Sequence, residues 1–182
     1  MADALRLGVS RKVLYSLRDE GVIQPLSRGL YRLASLPPVG NPDLVTIASR
    51  IPRGVLCLIS ALAFHELTTQ VPHAVDVAVE RGSTTSRPRI DYPPVRVYRF
   101  SGAAFKRGVE IHKLDGVSVR VYNAEKTIAD CFKYRHKLGM EIVLEALRTW
   151  RRRRGANIDA LLEYGKTCRV AKVMRPYLEV LA

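Results

Sequence analysis

Cysteine is scarce in this chain. The 182 residues hold three, Cys57, Cys131 and Cys168, widely spaced and odd in number. No CxxC pair occurs, which excludes a zinc knuckle and a disulfide framework. Cys57 lies between two leucines and Cys131 precedes Phe132, and the three read by default as buried free thiols in a reducing cytosol. The histidines His65, His73, His112 and His136 are scattered without metal-ligand spacing. Neither a metal nor another cofactor is expected. No apolar run reaches the roughly 18 residues of a membrane span, and the N-terminus lacks the basic-then-apolar pattern of a signal peptide. A cytoplasmic protein with no membrane partner is expected. Acidic residues are few, 17 against 30 Lys and Arg. The paired carboxylates of nucleotidyl transfer are missing: Gly82-Ser83 runs into Thr84-Thr85-Ser86 with no acid in reach. No enzyme is expected, and no catalytic residue is assigned.

What is present is positive charge. The net charge is +13 and the sequence pI about 10.1. Such a chain is drawn to polyanions, of which nucleic acid is the commonest and a membrane surface the rival. Hydrophobic residues make up 47%, enough to build a core.

The first 33 residues are the most informative. Gly8 supplies a turn, and Ser10 is a good N-cap. Val13, Leu14 and Leu17 fall on one helical face and are expected to pack inward. Arg11, Lys12, Tyr15, Ser16, Arg18 and Asp19 fall on the other, and Gly21 ends the helix. Arg11 and Lys12 sit in the first turn, where cations cost from a few tenths to about 1 kcal/mol each. A DNA phosphate there reverses the sign. The alternative is a solvated surface helix that happens to be basic. Val22 to Leu26 and Leu30 to Leu33 then read as a hairpin around Ser27-Arg28-Gly29, with a bulge. Pro25 places its strand at an edge. This is a turn, a helix and a wing, the second half of a winged helix-turn-helix. The expected DNA-binding residues are Ser10, Arg11, Lys12, Tyr15, Ser16 and Arg18 from the helix, and Arg28, Tyr31 and Arg32 from the wing. A hairpin that merely caps a core is the other reading of the second group. Residues before Gly8 suffice for one short helix, so the first helix of a three-helix head is expected to be missing.

Leu36 to Pro42 carries three prolines and a glycine and reads as a linker. Asp43 is expected to cap a helix running through Ile51. Val55 to Ile59 reads as a short buried strand or the lead into a helix through His65. Val75 to Glu80 and Val95 to Phe100 alternate as strands, the latter with one face in solvent. Arg81 to Pro94 reads as an exposed loop. Val109 to Leu114 and Val117 to Val121 form a hairpin turned at Asp115-Gly116. From Asn123 the period becomes helical: one long helix capped by Asn123 and closed by Gly139, then helices around 142–150, 158–164 and 170–181. The expected fold is α/β (α+β), with the head at 1–35, a linker at 36–42 and a C-terminal unit at 43–182. That unit divides into a mixed sheet of about four strands (43–122) and a helical part (123–182).

Ser27-Arg28-Gly29-Leu30-Tyr31-Arg32-Leu33 resembles the R-G-x-Y-x-L signature that ends the winged helix of AbiEi-type antitoxins. Ser60 to Pro72 resembles their S-A-L-x-x-H-x-L-T-x-Q-x-P block. Glu125-Lys126-Thr127-Ile128-Ala129-Asp130-Cys131-Phe132 resembles their E-[RK]-T-[IL]-x-D-[CL]-[FL] helix, and Glu145-Ala146-Leu147-Arg148 matches the E-A-L-R that follows. The resemblance implies a bacterial antitoxin of a type IV toxin–antitoxin system. It implies a repressor that binds inverted repeats in its own promoter through the winged helix. It also implies that the C-terminal domain opposes a nucleotidyltransferase toxin without a stable complex.

Two further features have competing readings. Ser60 and His65 suggest a nucleophile and base, but no acid completes them, and a helix cap with a satisfied imidazole is the better account. Arg151, Arg152, Arg153 and Arg154 end a helix, where the dipole favours cations. They read either as a stabilising surface cluster or as a second nucleic-acid patch. With Arg81, Arg87, Arg89, Arg96, Arg99, Lys106 and Arg107 they give the C-terminal unit a basic surface of its own. An RNA-binding protein with a degenerate DNA-binding head is therefore the alternative function.

Overall fold

The computed structural model describes residues 2–36, 40–82 and 90–180. A short helix α1 (Ala2–Arg6) leads through a turn at Gly8 into α2 (Arg11–Asp19). Ser10 caps α2, its hydroxyl accepting from the Val13 N–H at 3.3 Å. The other end closes on a Schellman pair: Val22 N–H bonds the Leu17 carbonyl and Gly21 N–H bonds that of Arg18. This closure needs φ +73° at residue 21, so Gly21→Ala is expected to cost about 1 kcal/mol, seen as a lowered thermal midpoint. Only part of the predicted inner face of α2 is covered. Leu14 is buried and Leu17 half-buried, but Val13 is exposed. In a nine-residue helix packed on a two-stranded hairpin, the covered stripe is too narrow to reach it.

The hairpin pairs β1 (Ile23–Ser27) with β2 (Leu30–Leu33). Its loop is two residues, Arg28 and Gly29, rather than three, because Ser27 pairs with Leu30. The register slips between Pro25 and Ser27, which places the bulge in the strand.

After the linker comes α3 (Pro42–Arg50). Asn41, not Asp43, occupies the cap position. Pro42 opens the helix and Asp43 lies within its first turn, because proline suits the first helical position, where no N–H is needed. Linker residues 37–39 lie outside the described residues, as do Ser83 to Arg89, which include Arg87 and Arg89.

The larger sheet has five strands rather than four: β3 (Val55–Leu56), β4 (Val75–Glu80), β5 (Val95–Phe100), β6 (Val109–Leu114) and β7 (Val117–Tyr122), in the order β5-β4-β3-β7-β6. β3 is the central strand yet has two residues, since α4 (Leu58–Phe64) begins almost at once. β4–β5 and β3–β7 are parallel; β3–β4 and β6–β7 are antiparallel. The β6–β7 turn falls at Asp115-Gly116, both with positive φ, the geometry of a type I′ hairpin.

Helices cover both faces of this sheet. On one side Ile47 and Ile51 pack on Leu56, Val75, Val77, Val79, Val119 and Val121. On the other lie α6 (Ala124–Lys133), α8 (Met140–Arg151), α9 (Ile158–Cys168) and α10 (Ala171–Val180), with Trp150, Phe132 and Met174 in the core. β5 therefore has no face wholly in solvent. Val95 and Val97 join one apolar layer, Tyr98 and Phe100 the other. A four-residue helix, α5 (Ala103–Lys106), precedes β6.

The expected single helix from Asn123 is broken. It stops at Lys133, and α7 (Arg135–Leu138) follows Tyr134. Tyr134 sits at ψ 13° with its ring stacked on Phe100 and edge-on to Tyr98. Anchoring that ring takes the backbone out of register.

Candidate nucleic-acid interface

The first turn of α2 holds Arg11 and Lys12 and no acidic residue. The macrodipole and these cations thus point the same way, and an anion placed there satisfies both. Arg11, Tyr15 and Arg18 follow at intervals of four and three, which aligns them along one stripe of the helix. Lys12 and Ser16 occupy a neighbouring stripe.

The Arg11 stripe faces a groove of about 950 Å³. The opposite walls come from the hairpin, with Pro25, Arg28, Gly29 and Tyr31, from Arg50 at the end of α3, and from Ile90, Asp91 and Tyr92. Five of the nine predicted DNA-binding residues, Arg11, Tyr15, Arg18, Arg28 and Tyr31, therefore meet at one place. Positive charge prevails there: four arginines line the groove against Asp91, with Asp19 outside the lining paired to Arg18. Arg18 is held: its guanidinium bonds the Asp19 carboxylate and lies 5.1 Å from the centre of the Tyr15 ring. Asp19 accordingly raises the Arg18 pKa. Among the described residues Arg11, Arg28 and Arg50 have no hydrogen-bonding or ionic partner.

The other four predicted residues lie elsewhere. The Ser10 hydroxyl is used in the helix cap, and Ser16 donates to Glu20 at 2.6 Å. Lys12 is exposed outside the groove lining. Arg32 lines a second cavity of about 500 Å³ between the hairpin and the β6–β7 turn. Its neighbour Tyr31 borders both. Arg50 and Tyr92 were not legible in the sequence as part of this site. Nothing local marks them, because they reach it from α3 and from the loop before β5.

The blocks of the C-terminal unit are tied to one another rather than to an open site. Glu145 accepts from the Thr69 N–H at 2.8 Å and from the Thr68 hydroxyl, which hold its carboxyl below the usual range. His65 Nε2 lies 2.7 Å from the Tyr122 carbonyl oxygen. The Ser60 hydroxyl accepts from the Asp76 N–H at 2.8 Å. Ser60 is not the helix cap expected of it, since Cys57 occupies that position of α4; its hydroxyl ties α4 to β4, and His65 ties the end of α4 to β7. Arg151 ends α8, Arg152 and Arg154 are exposed, and Arg153 donates to the Glu66 carbonyl at 2.9 Å.

All three thiols are buried and free. Burial pushes Cys57 and Cys131 far up and Cys168 up to about 12. Burial therefore disfavours the reactive thiolate at all three. Among the described residues no group of His, Cys, Asp and Glu could hold a metal, and no helix is long and apolar enough to cross a membrane.

No curated protein matches the chain. Residues 1–34, the span of α1, α2 and the hairpin, match a protein-family model described as "Transcriptional regulator, AbiEi antitoxin", a family of regulators rather than enzymes.

Proposed function

We propose that this chain is a DNA-binding antitoxin that represses its own operon and counteracts a nucleotidyltransferase toxin. Residues 1–35 form its winged helix-turn-helix, and 43–182 its antitoxin domain. It acts in the cytoplasm, without cofactor. The observation that carries the reading is the basic first turn of α2, without an acidic residue, set beside Arg28 at the hairpin tip, which has no partner among the described residues. A helix that projects cations from its N-terminal turn, flanked by a cationic loop, suits a duplex gripped by its phosphates.

The test is fluorescence anisotropy with the duplex upstream of the gene against a scrambled duplex, across a salt series. Preference for the upstream duplex that survives moderate salt is expected. Arg11→Ala with Arg28→Ala is expected to lower the salt slope by about 1.8, at about 0.9 for each phosphate no longer neutralised. Equal binding to both duplexes, or an unchanged slope in the double variant, would overturn the reading.

A further inference from the structure

We infer that the groove between α2, the hairpin and Arg50 is a binding site for an unpaired nucleic-acid strand, sharing Arg11 and Arg28 at its rim with the surface proposed to meet duplex DNA but extending beyond it to Arg50 and Tyr92.

Shape is the first argument. Duplex DNA is read by convex elements that enter its grooves. A concave cleft cannot enter a groove, and about 950 Å³ is the size of a ligand site rather than of a duplex channel. An unpaired strand has the opposite requirement. It lies in a cationic groove and rests its bases on aromatic faces.

Chemistry is the second. Tyr15, Tyr31 and Tyr92 line the cleft, with Tyr15 42% and Tyr92 65% exposed. Large aromatic side chains left this open are available as stacking surfaces. Tyr92 does not hang on a free loop, because Ile90, two residues earlier, packs against the apolar layer beneath the sheet. Arg18 already sits over the Tyr15 ring, a cation–π shelf fixed by Asp19. Arg11, Arg28 and Arg50 stand around these rings without partners among the described residues. Phosphates of a bound strand would satisfy all three. Arg11 and Arg28, at the exposed rim, serve either nucleic acid, whereas Arg50 and Tyr92 serve the unpaired strand alone. Lys12, on the outer stripe of α2, serves the duplex alone.

The experiment uses the full chain and three labelled probes: oligo-dT and oligo-U of about ten nucleotides, and the upstream duplex. Wild type is expected to bind at least one single strand. The stronger of the two identifies DNA or RNA as the natural ligand. Tyr92→Ala is expected to weaken strand binding about fivefold or more, the low end of the effect of removing one base-stacking ring. Arg50→Gln is expected to weaken it and to lower its salt slope by about 0.7, the share of one phosphate contact. Both are expected to leave duplex binding unchanged. Lys12→Ala is expected to do the reverse. Tyr92 and Arg50 are exposed, so both variants should fold, which an unchanged thermal midpoint verifies. The inference fails if wild type binds neither strand, if Tyr92→Ala and Arg50→Gln bind strands as wild type does, or if they weaken duplex and strand by the same factor. Loss of preference for the upstream duplex with strand binding intact would instead count against the repressor reading alone.

Discussion

Lys126→Met is expected to destabilise the protein by about 3–5 kcal/mol, read as a lowered urea midpoint at unchanged slope. Lys126 is wholly buried and pairs with Asp130, one turn on, which is 1% exposed. The ammonium also lies 4.2 Å from the centre of the Tyr122 ring and 5.0 Å from that of Phe100. Methionine keeps the length of the stem but leaves the Asp130 carboxyl to the Cys168 thiol, which donates to Oδ1 at 3.2 Å. Burial already pushes the Asp130 pKa up against the pull of Lys126. Without the lysine that pull is lost, and the cost of an isolated buried carboxyl remains. Lys126→Met with Asp130→Leu is expected to recover most of the loss, because replacing both ends of a buried pair is far less damaging than removing one. A single variant as stable as wild type would mean that the pair carries no such burden.

The same helix shows why a polar block in a sequence can mislead. Glu125, Lys126, Thr127 and Asp130 have the look of a polar site. In the fold Glu125 accepts from the Trp150 indole, Thr127 donates to the Tyr122 carbonyl, and Lys126 neutralises Asp130. Their polarity is used inward. The backbone around them adapts to it: Gly108 sits at φ +76°, and a Cβ there would fall 2.8 Å from the Lys126 Cβ.

Legibility tracked the locality of the cause. The β6–β7 hairpin, the Ser10 and Asn123 caps and the closure at Gly21 follow from a few adjacent residues, and the expected bounds hold to within a residue or two. The break at Tyr134 depends on rings from β5, more than thirty residues earlier in the chain. β3 is too short for alternation to register, since two residues have no period. In α6 the spacing of Ile128, Cys131 and Phe132 defines an inner face and says nothing of Lys126 and Asp130. A helical period cannot show that residues 126–132 are buried all round. At the candidate site, Arg11, Tyr15, Arg18, Arg28 and Tyr31 were legible because α2 and the hairpin are consecutive. Arg50 and Tyr92 needed the tertiary fold.

Stability is expected to fall by about 2–3 kcal/mol as pH rises from about 4 to 7 on account of one carboxyl, Asp76. Its pKa is raised from 3.8 to about 6, and each unit corresponds to about 1.4 kcal/mol. Burial is the cause. Asp76 is 1% exposed on β4, and its Oδ1 has no hydrogen-bond partner among the described residues. The charge of Arg96, the N–H groups of Ile59 and Ser60 at the start of α4, and the Tyr98 hydroxyl oppose the shift without cancelling it. Because the folded state holds this proton more tightly than the unfolded chain, the native protein carries the extra proton between about pH 4 and 6. Raising the pH strips it, so the penalty is absent below that window and complete above it. Asp76→Asn keeps an acceptor for the α4 N–H groups and removes the titration. Unfolding by urea at about pH 4.5 and about pH 7 should therefore show a smaller difference for the variant than for wild type, with the variant the more stable at neutral pH. Glu145, lowered by hydrogen bonds from Thr69 and Thr68, and Glu163, lowered by its pairing with Lys166, give the opposite slope. The comparison therefore rests on the difference between the two proteins rather than on either curve. Identical pH dependence in both would show that Asp76 ionises as freely in the fold as out of it.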